Sequence, residues 1–392
     1  MSEWRATRLG DICKIKYGKD HKHLAEGTIP VYGSGGIMRL ADTALYCRKS
    51  VLIPRKGTLN NLFFVDTPFW TVDTLFYTEI DETRITPEFL YYQLKTLDLA
   101  GLNVGTAVPS LTTSILDEIE VMVPPLIEQK RIGCTLRVID NRVTNNKKIN
   151  HHLEQMAQAI FKSWFVDFEP WNGEMPSDWH EGTFSEVISI TIGGDWGKDA
   201  PTGDNTQEVY CIRGADIPDV NAGNRGKMPI RYILPKSYAV KQLSVGDIVV
   251  EISGGSPTQS TGRCALITQS LLDRFDRSMV CTNFCRAVKP LAGYSLFVYF
   301  YWKYLYIQNV MFSYENGTTG IKNLDISSFL ETESIIVPPG EVAHQFAEAI
   351  GAFIDTVFSN GLENETLVIL RDTLLPRLIS GELSVADISE GK

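Results

Sequence analysis

The sequence predicts an α+β protein: two tandem α/β domains joined by two long antiparallel helices that form a coiled-coil-like rod, with a pseudo-two-fold relation between the halves. Three observations predict it. The sequence is written twice, each copy ends in a long run free of strand signals, and each run carries a heptad-like seam of apolar residues.

The duplication shows first at the start of each copy. Ser2, Trp4, Ile15, Gly18 and Asp20 recur as Ser177, Trp179, Ile190, Gly193 and Asp195 at a shift of 175, with apolar Leu9 and Ile12 matched by Phe184 and Val187. Phe89–Leu97 matches Phe297–Leu305 at a shift of 208, Gly105-Thr106 recurs as Gly317-Thr318, Leu111 as Leu324, and Val123-Pro124-Pro125 as Val337-Pro338-Pro339. The growing shift places an insertion in the second copy before its aromatic helix.

Within each copy, short β-rich runs come first: Val51–Pro54, Asn61–Val65, Asp247–Val250 and Cys264–Ile267. Glycine and proline punctuate them, as in a compact sheet with tight turns. One amphipathic helix follows Pro87 in the first copy and begins near Ser295 in the second. The Pro-Pro pairs then open the long helices, since a proline in the first turn loses no hydrogen bond. In the first helix Ile132, Leu136, Ile139, Val143, Leu153, Met156 with Ala157, Ile160 and Trp164 form the seam, with Asn146 and Asn150 between its two apolar stretches. The second offers Phe346, Ile350, Phe353, Val357, Asn360, Asn364, Leu367, Leu370, Leu374 and Leu378. Helices of this length, on the order of 60 Å, are too long for a small domain to cover, so they are expected to pack on each other with the asparagines setting register. Gly361 is expected to weaken the second helix by about 1 kcal/mol and to kink or interrupt it. The expected boundaries are a first domain at 1–125, a spacer helix at 126–168, a second domain at 169–338, a second spacer helix at 339–382 and a tail at 383–392.

Composition limits the function classes. The 392 residues are 44% apolar and 21% charged, which excludes a disordered chain. The most apolar stretch, Leu291–Phe312, is broken by Lys303, Gln308 and Asn309, so no membrane span is expected. Met1–Arg5 lacks the pattern of a secretory signal. Seven scattered cysteines read as reduced thiols, hence a cytoplasmic protein. The net charge is −10, from 37 basic and 47 acidic residues, yet residues 1–60 hold eleven basic against five acidic ones. Positive charge is concentrated at one end.

These features together resemble the specificity subunit of type I restriction–modification systems. The resemblance spans essentially the whole chain. It rests on Trp4 with Leu9-Gly-Asp-Ile12, the weaker opening at Trp179, the Gly-Thr to Val-Pro-Pro segments 105–125 and 317–339, Phe161–Phe168 after the first long helix, and Leu375–Glu382 after the second. It implies two target-recognition domains, each reading one half of a split double-stranded DNA site, and helices that dock two methyltransferase (modification) subunits. Restriction and translocase subunits would join through these. No cofactor is expected in this chain; S-adenosylmethionine, ATP and magnesium belong to the partner subunits. The second opening departs from the pattern, reading Ser185-Glu186 in place of Gly-Asp.

Under that resemblance, Lys14, Lys16, Lys19, Lys22, Arg55 and Lys56, with Ser34 and Thr58, are candidate DNA contacts of the first module. Arg213, Lys227 and Arg231 are those of the second. Such residues bridge guanine edges or neutralise phosphate; the bland alternative is a solvated basic surface. The turns carrying Thr106, Ser110, Thr318 and Lys322 offer N–H groups and hydroxyls to a phosphate, or are ordinary loops. Trp164 and Phe165 at the end of the first long helix are a candidate partner surface, or simply cap the rod. Tyr91, Tyr92, Tyr299, Phe300, Tyr301, Trp302 and Tyr304 could stack on bases, but at helical spacing they read as core or helix-docking residues.

Catalytic signals are poor. Gly254–Gly262 is followed by Arg263 rather than Lys-Ser/Thr, Cys281 and Cys285 lack a second pair at zinc spacing, and no nucleophile motif occurs. Two other readings stay open: a stand-alone interaction protein dimerising through its rod, and a two-module hydrolase with perturbed carboxylates in a cleft.

Overall fold

The structure is a computed structural model and describes residues 4–105, 108–256, 258–317 and 321–385. It is mixed α and β, in two compact units: residues 1–142 with 367–392, and residues 143–366. The division falls inside both long helices, Leu126–Phe165 and Gly340–Ile379, so each unit contains a segment of each. Among the described residues no helix is long and apolar enough to cross a membrane.

In the first unit the opening strand Arg5–Arg8 pairs antiparallel with Glu120–Val123. An antiparallel sheet follows in the order Cys13–Tyr17, Leu75–Ile80, Ser50–Pro54, Phe63–Val65. A smaller sheet sets Gly36–Ala41 beside Ile29–Gly33, which runs parallel to Trp70–Thr71. The helix Pro87–Lys95 starts at a Thr86 cap whose hydroxyl accepts the Phe89 N–H, and it buries Phe89, Leu90 and Tyr92. Ile132 and Leu136 of the first long helix join Leu375, Leu378 and Ile379 of the second in the same core.

The second unit repeats this order. His180–Thr183 pairs with Ser334–Val337, and the four-stranded sheet runs Ile188–Gly193, Cys285–Pro290, Ile248–Glu251, Cys264–Leu266. The smaller sheet is Ile230–Ile233, Gln207–Ile212 and Met279–Cys281, the last two again parallel. Its core is aromatic: Phe161 and Phe165 pack with Trp179, Phe297, Phe300, Trp302 and Phe346. A bulge between Ile188 and Ile190 moves the alignment of the copies by one residue. The counterpart of Gly18 is therefore Gly194 rather than Gly193. At both positions an added Cβ would strike the carbonyls of the neighbouring turn, at 2.0 Å from Val72 O and 1.9 Å from Thr282 O.

The long helices pair antiparallel within each unit. In the second, Asn146 Nδ2 donates to Asn364 Oδ1 at 3.0 Å and Asn360 Nδ2 to Asn150 Oδ1 at 2.8 Å. In the first, Arg371 Nη1 donates to Asp140 Oδ1 at 2.7 Å, and the buried Tyr92 hydroxyl donates to the other oxygen of the same carboxylate. The expected seam needs two corrections. Met156 and Leu370 are exposed; Ala157, expected beside Met156, is the buried residue of that pair, and Leu375 is buried more deeply than the expected Leu374. A seven-residue template drifts against the 3.6-residue helix, and the smaller Ala157 suits close approach.

Gly361 does not interrupt its helix, which is continuous from Gly340 to Ile379. The glycine makes room instead. The loop at Gly223 lies on the helix there, and a Cβ on Gly361 would sit 1.9 Å from Gly223 O. Asn150 Nδ2 holds the same loop through Ala222 O at 3.2 Å, and the Arg225 N–H donates to Glu365 at 2.8 Å.

This contrast is testable with two glycines of one helix. Gly361→Ala is expected to destabilise the protein by about 2 kcal/mol, because the clash outweighs the gain in helix propensity. Gly351→Ala, whose Cβ meets nothing within 4 Å, is expected to stabilise by up to about 1 kcal/mol. Denaturant midpoints of the two variants measure both.

Candidate nucleic-acid interface

In each unit the parallel strand pair brings two turns to one opening. In the first these are the turn after Ile29–Gly33 and the turn Val72–Thr74. With the segment Asp20–Lys22 they line a cleft of about 720 Å³ that includes Ser34 and Asp73. In the second, Arg213–Ala215 and Thr282–Phe284 line one of about 510 Å³ with Trp196 and Glu251. Backbone bonding shows that the two clefts correspond. Thr74 O accepts the N–H groups of Arg55 and Lys56 at 2.9 and 3.3 Å, and Phe284 O accepts those of Ile252 and Ser253 at 2.9 and 3.3 Å. The Lys19 N–H donates to Thr71 O as the Asp195 N–H does to Cys281 O.

The first cleft gathers several of the sequence candidates. Lys22 and Ser34 line it. Arg55 lies over the Tyr17 ring at 5.5 Å and donates to Asp73 O at 2.9 Å. Lys56 bridges to Ser110, and the Gly57 N–H bonds Pro109 O at 3.0 Å, which ties Pro109 and Ser110 to the same edge. Asn103 Oδ1 accepts the N–H groups of Gly105 and Ser110, both at 2.8 Å. Lys19, Lys56 and Thr58 are exposed. Lys14 and Lys16 stand apart: strand alternation puts them on the face of Glu79, opposite Tyr17, with Lys16 3.9 Å from that carboxylate. Among the described residues no carboxylate lies within 4 Å of the ammonium groups of Lys14, Lys19, Lys22 or Lys56. Thr106 lies outside the described residues.

The second unit treats its cations differently. Arg213 is bound to Asp216 by Nε at 2.9 Å and Nη2 at 3.0 Å, and to Lys227 O at 2.7 Å. Lys227 is exposed, while its N–H donates to Asp216 at 3.0 Å. Arg231 is only 4% exposed, lies 4.0 Å over the Trp196 ring and pairs with Asp199. It is therefore a structural support for Trp196 and not a surface cation. Lys322 pairs with Glu315 at 2.7 Å. Thr318 lies outside the described residues.

The expected partner surface is corrected at Phe165. Phe161 and Phe165, four apart, share the helix stripe that faces the core, and Phe165 is fully buried against Phe297 at 4.9 Å and Phe346 at 5.2 Å. Trp164 is half-buried at the edge of that stripe, beside Trp171 and Phe346. Asp73, Trp196, Asn283 and Phe284 were missed by sequence reasoning. Val72-Asp-Thr74 and Thr282-Asn-Phe284 share no residue, and only the strand register aligns them.

Burial would raise the Asp216 carboxyl, but hydrogen bonds from Arg213 and from the N–H groups of Lys227 and Arg213 outweigh it and hold the group below its ordinary 3.8. A depressed carboxyl contributes stability that is complete above the ordinary value and lost as pH falls through the folded one. Asp216→Asn is therefore expected to cost about 2 kcal/mol at pH 7. The deficit shrinks below pH 4, which denaturation midpoints across pH 2–7 would measure.

Residues 1–155 match the family model described as type I restriction modification DNA specificity domain. The chain is similar to the type I restriction enzyme MjaIX specificity subunit of Methanocaldococcus jannaschii, at 25% identity over 98% of this chain and 95% of that protein. It is likewise similar to the HindI specificity subunit of Haemophilus influenzae, at 23% identity over 98% of this chain and all of the other. The crystal structure of the type I restriction–modification S subunit from M. genitalium shares the fold, with a TM-score of 0.63, 18% identity and 96% of each chain covered. The chain is thus similar, over nearly its whole length and in fold, to specificity subunits of type I restriction–modification systems, and its first 155 residues match their DNA specificity domain.

Proposed function

We propose that this chain is the non-catalytic DNA-recognition subunit of a type I restriction–modification complex, working in the cytoplasm. Each unit reads one half of a bipartite double-stranded target. The long helices dock two methyltransferase subunits, and restriction and translocase subunits assemble through these. S-adenosylmethionine, ATP and magnesium serve the partners, and the chemistry is delegated to them.

One observation carries the reading: the same cleft, framed by the same backbone hydrogen bonds, occurs once in each unit with different side chains around it. Two reading heads on one scaffold suit a target of two unlike halves. Phosphate contacts supply affinity and groove contacts supply discrimination. Lys19, Lys22 and Lys56, which have no carboxylate within 4 Å among the described residues, suit phosphate. A hydrolase would need carboxylates gathered in a cleft. The carboxylates with clear shifts here, Asp81, Asp117, Glu186, Asp216 and Asp276, are spread along the chain and held by local hydrogen bonds or burial.

Mobility-shift competition between a selected duplex and random duplex, with the methyltransferase present, tests the proposal. A preference of on the order of 10³-fold or more for the selected duplex is expected. Equal affinity for all sequences would refute it. In the same assay the K19A/K22A/K56A variant is expected to weaken binding to every sequence alike. Its plot of log affinity against log salt should be shallower by about 0.9 for each phosphate that is no longer neutralised.

A further inference from the structure

We infer that Asn283 and Phe284 are specificity-determining residues of the second unit and that together they read an A·T base pair through its major-groove edge. The inference rests on the proposed DNA-recognition role and assigns chemistry to one of its two clefts.

Phe284 is 60% exposed, yet its backbone is held on both sides. Its N–H donates to Thr282 Oγ1 at 2.9 Å, and its carbonyl accepts the N–H groups of Ile252 and Ser253. A large apolar ring is thus presented to solvent from a fixed base. Across the cleft stands Trp196, its ring backed by the buried Arg231 guanidinium and its backbone N–H bonded to Asn283 Oδ1 at 3.2 Å. That bond orients the Asn283 amide and leaves Nδ2 to donate and Oδ1 with a second lone pair to accept. The charges at this opening are already matched, Arg213 by Asp216 and Glu251 by Arg263 at 2.6 Å. What the cleft offers a ligand is therefore an apolar ring beside an amide.

In the major groove an A·T pair displays a complementary set. The thymine C5-methyl group takes an apolar contact, and adenine N6 and N7 take the oxygen and nitrogen of an asparagine amide. Consecutive residues on one turn are suited to the two members of one pair. The corresponding turn of the first unit carries Asp73 and Thr74, which offer neither the ring nor an amide donor. The two halves of the target should therefore differ.

The test uses the chain assembled with its methyltransferase subunits and duplexes selected from a randomised library. In one of the two selected blocks, replacing a single thymine by deoxyuridine should lower affinity about four-fold, the worth of one buried methyl group. Phe284→Ala should lose the same factor on thymine DNA, become indifferent to deoxyuridine and keep its salt dependence. Phe284→Leu should restore part of the discrimination, and Asn283→Ala should relax the preference for adenine at that pair by about ten-fold or more. Both positions are exposed, so melting temperatures should stay near wild type. The inference falls if neither block contains a thymine, if deoxyuridine is tolerated at every position, or if Phe284→Ala still distinguishes the two bases. It falls too if Phe284→Ala weakens all sequences equally, as stacking on any unpaired base would require. If selection returns no preferred sequence, the DNA-recognition role itself fails, an outcome distinct from these.

Discussion

Register between the two long helices is the constraint on which the structure depends. A slip of one turn would break both the Asn146–Asn364 and the Asn150–Asn360 bonds and could re-form only one asparagine pair, leaving at least one buried amide without its partner. Apolar side chains alone tolerate such slips; a polar pair in the seam does not. Gly361 adds a second lock, since the loop at Gly223 fits the helix only where a residue lacks a side chain. The same loop carries Arg225, bonded to Glu365, and leads into the strand Ile230–Ile233, whose Arg231 backs the Trp196 ring. Helix register and the second cleft are thus coupled within one unit.

Duplication then supplies economy. Both units use one scaffold, with a four-stranded antiparallel sheet, a smaller sheet with a parallel pair, and turns anchored by the same backbone bonds. The backbone supports the cleft, so the side chains around it can change freely. The first copy sets Lys22 beside its cleft and leaves Lys19 and Lys56 exposed, whereas the second pairs Arg213 and Arg231 with aspartates and lines its cleft with Trp196 and Phe284. The two copies thus put different chemistry on the same geometry: lysines in one, an aromatic ring and an amide in the other.

Much of this was legible in the amino acids. The strands around Val51 and Val249, the aromatic helices and the asparagine seam all follow from periodicity, because burial of one face acts on every residue of an element. What escaped depended on single atoms or distant partners. The bulge after Ile188 shifted the repeat by one residue, and no local signal marks it. Gly361 read as a weak point because the loop that fills its place comes from residue 223, far away in sequence. Arg231 and Lys322 read as surface cations because Asp199 and Glu315 reach them only through the fold. Asn283 and Phe284 escaped because their counterparts in the first copy are chemically different, so no repeat points to them.

Engineered disulfides test helix register most directly. In a chain whose exposed Cys47 and Cys134 are replaced, the pair N150C/N360C should cross-link readily on mild oxidation, since those positions face each other. The pair N150C/N364C, one turn out of step, should not. Equal cross-linking of the two pairs, or preference for the second, would contradict the antiparallel register from which the rest of the account follows.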